Sequence, residues 1–224
     1  MNDARTEASR NWFGYGSWSA PYWFVGMEPG GADHPDLYTS WEACGSGSLI
    51  DAAQHEDEWN KLVPADLQMH HFDTKTVIQR GTWQPLIHIV LGFTGSNEDS
   101  HIYQRDKLGR AGGKTALIEL SSVASTTLSS QDVERPYEAE RIIDIRQHLE
   151  HEKPGPAFVV FYGTTYTRQY SEVAGGQFDE DGFRWNGTTL CALIKHPARP
   201  TRSYQYWRDY GEKLRDLVDA KRAR

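Results

Sequence analysis

A single α/β domain of three layers, with a central, mostly parallel four-stranded sheet flanked by helices, is the fold class this sequence predicts. Two observations carry the prediction. Four short apolar runs end at turn residues: Tyr22–Gly26, Thr115–Val123, Ala157–Tyr162 and Leu190–Ile194. Buried parallel strands read this way, as continuous apolar stretches rather than as alternations. Segments with helical patterning separate these runs, and no repeat or linker divides the chain, which argues for one doubly wound unit. At 224 residues there is enough chain for a substantial core in one domain, 1–224.

In chain order, residues 1–20 form a polar and then aromatic lead-in with Trp12, Phe13, Tyr15 and Trp18. The first strand follows at 22–26. Residues 30–48 read as a long loop, with Tyr38 and Trp41 exposed to the crevice if the loop folds back. Leu49, Ile50, Ala53, Trp59 and Leu62 recur in an imperfect helical pattern over 49–62. Thr82–Leu91 is read as helix, because Pro85 suits a first turn better than a central strand. The clearest helix is Pro136–Glu152, opened by proline and patterned by Ala139, Ile142, Ile143, Ile145 and Leu149. A basic helix over 203–224 closes the chain.

Composition narrows the functional classes. Eight Trp and eleven Tyr stand in a chain of low mean hydropathy, which suits aromatic side chains lining a groove as well as a core. No apolar run approaches the roughly 18 residues of a membrane span, and MNDARTEASR lacks a signal peptide's apolar core. A cytoplasmic monomer with both thiols reduced is expected, nucleoid-associated if bacterial. The two cysteines, Cys44 and Cys191, supply too few thiolates for a four-cysteine zinc or iron–sulfur site. The net charge of −7 argues against nucleic acid, but its distribution does not. Residues 195–224 hold nine Lys/Arg against four Asp/Glu, a basic end on an acidic body that can meet phosphates locally.

Three apparent motifs fail. In Gly109-Arg-Ala-Gly-Gly-Lys-Thr115 only three residues separate the glycines, where a phosphate loop needs four, and a strand rather than a helix follows. Gly14-Tyr-Gly16 lacks the third glycine of a dinucleotide fingerprint. His70-His71-Phe72-Asp73 reads as a surface loop, since adjacent histidines point apart and no matching ligand run follows.

What survives is a pair of strand ends. Gly26-Met27-Glu28-Pro29-Gly30 follows the first strand, where proline fixes one angle and the glycines permit close approach of another molecule. Lys195-His196-Pro197-Ala198-Arg199-Pro200 follows the last. Ligand crevices of open α/β sheets lie past the carboxyl ends of their strands. A carboxylate and an imidazole meeting there can orient water and stabilise a developing anion. Taken singly, each piece also fits an ordinary turn with Glu28 in water and a structural His-Pro.

The order of these pieces resembles the uracil-DNA glycosylase superfamily over roughly residues 22–207. GMEPGG is most similar to the first motif of its single-strand-selective monofunctional branch. Ile194-Lys195-His196-Pro197 matches the His-Pro turn after the last strand, and Leu117–Val123 and Phe158–Gly163 match the strands between. The resemblance implies hydrolysis of the N-glycosidic bond of uracil flipped out of DNA. It implies that His196 stabilises charge on the base oxygen and that Glu28, in place of the usual Asp or Asn, positions water. It also implies main-chain contacts to the base from Met27 and Pro29, base stacking on Trp41 or Tyr38, and base reading by Ser121, where the family commonly has an amide. Lys195, Arg199, Pro200, Thr201 and Arg202 fall where the family grips the DNA backbone. The partner implied is uracil-containing DNA, with no membrane, metal, iron–sulfur cluster or other cofactor. A hydroxyl reads a base edge less completely than an amide, so hypoxanthine or xanthine is an alternative substrate. The longer Glu28 together with Ser121 also fits a non-catalytic binder of damaged DNA, and the acidic net charge fits an α/β hydrolase or binding domain unrelated to DNA.

Overall fold

The computed structural model describes residues 10–27, 29, 34–45, 48–73, 81–123, 137–152, 154–198 and 202–223. Its seven strands are β1 (Gly14–Tyr15), β2 (Tyr22–Gly26), β3 (Leu49–Ile50), β4 (Thr115–Glu119), β5 (Phe158–Tyr162), β6 (Phe183–Asn186) and β7 (Thr189–Ile194). They form one sheet in the order β3-β1-β4-β2-β5-β7-β6. The middle four, β4-β2-β5-β7, are mutually parallel, whereas β1 runs antiparallel to β4 and β6 antiparallel to β7.

The expected four-stranded sheet is therefore the centre of a mixed sheet of seven. β1 and β3 are two residues long, too short to show a period. β6 pairs with β7 through the turn at Gly187, which holds a positive φ of 58°. The second apolar run is shorter as a strand than as a sequence pattern, stopping at Glu119 rather than Val123.

Seven helices are present among the described residues. They are α1 (Pro35–Ala43), α2 (Ala52–Leu62), α3 (Trp83–Thr94), α4 (Ser100–Asp106), α5 (Glu138–His151), α6 (Thr167–Val173) and α7 (Tyr204–Arg222). Residues expected to be a loop thus include α1. Its N-terminus is capped by His34, whose ring accepts from the Asp36 amide, and Pro35 occupies the first turn. Leu49 and Ile50, expected as helix, are strand, and Asp51 then caps α2 by accepting from the amides of Ala53 and Gln54.

Alternation along the central strands splits the core in two. Phe24, Leu117, Phe158, Val160, Leu190 and Ala192 face α3, α4 and α7. Trp23, Val25, Ala116, Ile118, Val159, Phe161 and Cys191 face α5 and α6. Each central strand is buried on both faces, which explains its unbroken apolar sequence. Helices α3 and α7 approach closely: a Cβ at Gly92 would overlap the Arg208 backbone, and one at Gly211 the Ile89 carbonyl.

Two rejected motifs have structural roles. Arg110 Nε and the Ala111 amide both donate to Asp51 Oδ2 at 3.0 Å, so the Gly109–Lys114 segment is a turn fixed to α2 before β4 begins. The His70–Asp73 segment is not the surface loop expected. The amides of His71 and Phe72 donate to the buried Glu56 carboxylate at 2.6 and 3.1 Å, which draws both residues inward. No group of three or more His, Cys, Asp or Glu among the described residues is placed to hold a metal ion.

Candidate active site at the carboxyl ends of the parallel strands

The chain passes from β2 to β4 on one side and later crosses to β5 on the other. That makes the β2–β5 boundary a topological switch point, where open sheets form their ligand crevice. The strand register defines what meets there. Gly26 pairs with Glu119, Val25 with Phe161, and Tyr162 with Ile194. Glu119, Gly26, Tyr162 and Ile194 therefore end their strands as one row, on the face shared with α3 and α7. Ser121 and His196 stand two residues beyond that row on β4 and β7.

Gly26 is the centre of the row. A side chain there would overlap the Tyr162 hydroxyl and the Glu119 carboxylate, which fill the space the glycine leaves. The Tyr162 hydroxyl donates to Glu119 Oε1 at 3.3 Å. Burial, with the charge of Glu119 and the neighbouring Tyr170 adding to it, holds the Tyr162 phenol well above its usual pKa, so it remains a donor. Its carbonyl accepts from the Tyr170 hydroxyl at 2.9 Å. The edge of the Tyr162 ring meets His196, with ring centroids 5.6 Å apart and planes at 76°. His196 is partly exposed, and the Ala198 amide donates to its Nδ1 at 3.3 Å. That bond assigns the ring proton to Nε2 and makes Nε2 the donating nitrogen.

The other predicted residues divide. The Met27 carbonyl accepts from the Ser121 amide at 2.6 Å, and the Gly26 carbonyl from the Leu120 amide at 3.0 Å, so the ends of β2 and β4 continue side by side beyond the sheet. Met27 and Ser121 are buried, and Pro29 is partly exposed. The Ser121 hydroxyl accepts from the Val123 amide at 3.2 Å. Lys195 and Arg202 are exposed, and the Arg202 guanidinium lies 4.9 Å over the Tyr206 ring. Glu28, Arg199, Pro200 and Thr201 lie outside the described residues.

The exposure expected of Trp41 and Tyr38 is corrected. Each is only 2% exposed, in a cluster with Trp12 and Ile50. Trp41 stacks face to face on Trp12, with centroids 3.8 Å apart and planes at 5°, and the Tyr38 ring meets its edge at 5.2 Å. Helix α1 turns these rings inward, where they anchor the helix to the lead-in segment.

Glu119 and Tyr162 went unrecognised in the sequence, although each carried a signal. Glu119 is the one charge in the run Thr115–Leu120, and Tyr162 is the last residue before Gly163. Arg141 of α5 holds this end of β4. Its buried guanidinium donates to the carbonyls of Leu120, Glu119 and Trp12 at 2.8, 2.8 and 2.6 Å. Burial pulls its pKa down to about 10, which keeps it cationic at neutral pH. Three main-chain carbonyls bonded to one rigid fork fix where Glu119 begins. Neither a protein-family model nor a curated protein matches the chain.

Proposed function

We propose that the protein is a monofunctional DNA glycosylase that excises uracil from DNA by hydrolysing the N-glycosidic bond. The observation that carries this reading is that Gly26–Met27, Ser121 and the His196-Pro197 turn all follow the carboxyl ends of strands in the parallel run β4-β2-β5-β7, on either side of its switch point. The order of the motifs along the chain supports it from the sequence side. In this mechanism a base flipped from the stack enters the crevice. As the bond breaks, negative charge grows on the base, and His196 donates from Nε2 to its carbonyl oxygen. Glu28, two residues past the end of β2, positions the water that attacks the sugar. Lys195 and Arg202, exposed beyond β7, neutralise phosphates.

The test is base release from a labelled oligonucleotide with one uracil, followed by alkaline cleavage at the abasic site, beside a hypoxanthine oligonucleotide. Strand cleavage at uracil is expected, with a loss of about 10²–10³ in rate for His196→Ala, the typical effect of removing one charge-stabilising donor. Binding of the uracil oligonucleotide without release would instead indicate a damage-recognition protein. The absence of both binding and release would refute the assignment to DNA.

A further inference from the structure

We propose that Tyr162 and Glu119 are the base-reading pair of this site: Tyr162 joins His196 in donating to one base carbonyl, and Glu119 accepts from the ring N–H beside it. The inference rests on the glycosylase reading and adds the residues that select the base.

The argument is the order of groups along the strand ends. His196 follows β7, Tyr162 ends β5, Gly26 ends β2 and Glu119 ends β4. Tyr162 gives its one proton to Glu119 Oε1. A base N–H that takes its place on the carboxylate releases that proton to the base carbonyl. With the His196 ring proton on Nε2, the groups met by the base then read donor, donor, acceptor: His196, Tyr162, Glu119. Gly26 adds no side chain between the last two, so hydroxyl and carboxylate lie together over bare backbone.

The complement of that row is a carbonyl oxygen, which can accept two hydrogen bonds, next to an N–H. Uracil presents it as one carbonyl with the adjacent imide N–H, and hypoxanthine presents the same lactam edge. Cytosine keeps the carbonyl but has an unprotonated ring nitrogen beside it, which would set one acceptor against the Glu119 carboxylate. Adenine lacks the carbonyl. An unpaired or opposed polar group in a buried site costs more than a good pair contributes, so Glu119 supplies the discrimination against cytosine and adenine, thymine and guanine sharing the lactam edge, and Tyr162 supplies part of the rate.

The experiment compares wild type, Tyr162→Phe and Glu119→Gln, each checked by thermal unfolding, on oligonucleotides carrying uracil, hypoxanthine or cytosine. Tyr162→Phe keeps the ring and its packing and should lower kcat on uracil about tenfold or more. Glu119→Gln places a carboxamide whose N–H can face the cytosine ring nitrogen. It should lower uracil kcat/KM about tenfold and narrow the uracil-to-cytosine ratio by more than that. A role confined to folding would shift the unfolding temperature and leave this ratio unchanged. If both variants match wild type in rate and selectivity, the pair does not read the base, although the glycosylase assignment stands. If wild type releases no base at all, that assignment falls. Titration of free uracil, hypoxanthine and cytosine, followed by NMR, then decides the pair independently. Selective binding of the two lactam bases that Tyr162→Phe weakens supports it, and equal or absent binding overturns it.

Discussion

At the residue scale, the polar groups that matter most are held rather than loose, and two of them lead to measurable effects. Ser40, His55 and Tyr15 form a network away from the strand ends. Ser40 Oγ lies 2.9 Å from His55 Nε2 and donates to the Leu37 carbonyl at 2.7 Å, while the Tyr15 hydroxyl lies 3.0 Å from His55 Nδ1. Because the serine proton is given to Leu37, the bond from His55 runs toward the serine, and the pair is structural rather than nucleophilic. Burial pulls the His55 pKa from 6.5 down to about 4. The unfolded chain therefore binds a proton there at a higher pH than the folded one does. The stabilisation is complete above about pH 6.5 and is lost as the pH falls toward 4. That shift corresponds to about 3 kcal/mol. Thermal unfolding between pH 7.5 and 4 should show this acid-side loss, and it should be smaller in His55→Gln than in wild type. Gly26→Ala acts on the strand ends directly. Its methyl would force Tyr162 and Glu119 apart, and a drop in base release with the native fold retained is the expected result.

At the scale of elements, the crossing of α3 and α7 is where packing tolerance is least. Gly92 and Gly211 each press on the backbone of the opposite helix, and backbone cannot turn aside as a side chain can. Gly211→Ala should cost about 1–3 kcal/mol or more through overpacking, measured by urea unfolding. Gly112→Ala, with nothing within 4 Å of the added carbon, should stay within about 0.5 kcal/mol of wild type. α7 begins at the Ser203 cap and ends in Lys221 and Arg222, and its Tyr204 ring stacks on His88 of α3. α3 and α7 share a core cluster with Tyr162 and Ile194 at the strand ends, so loosening that crossing should disturb the end of the sheet along with stability.

At the scale of the whole molecule, charge is the informative property. A net charge of −7 predicts weak nonspecific affinity for DNA, and the excess of Lys and Arg after residue 194 predicts that what binding exists is local. Affinity for a short uracil-containing oligonucleotide should fall as salt rises. Lys195→Ala and Arg202→Ala should each reduce the slope of log K against log salt by about one. An unchanged slope in both would place the DNA elsewhere on the surface.

By itself the sequence determined the α/β class, the four central strands and four of the seven helices among the described residues, because two-sided burial imposes continuous apolar runs and amphipathic burial imposes the helical period. It also located where β2 and β7 end, at Gly26 and just before Lys195-His196-Pro197, since glycine and proline mark those points chemically. It did not reveal β1, β3 or β6, which are short pairings supported by neighbours rather than by a pattern of their own. Nor did it reveal that Trp41 and Tyr38 turn inward, because an aromatic residue reads the same in a core as in a groove. Only the tertiary structure decided that Glu119 and Tyr162 meet over Gly26 beside His196. Three of those residues end β4, β5 and β2 and the fourth follows β7, spread over most of the chain, and strand order and register, not local sequence, bring them together.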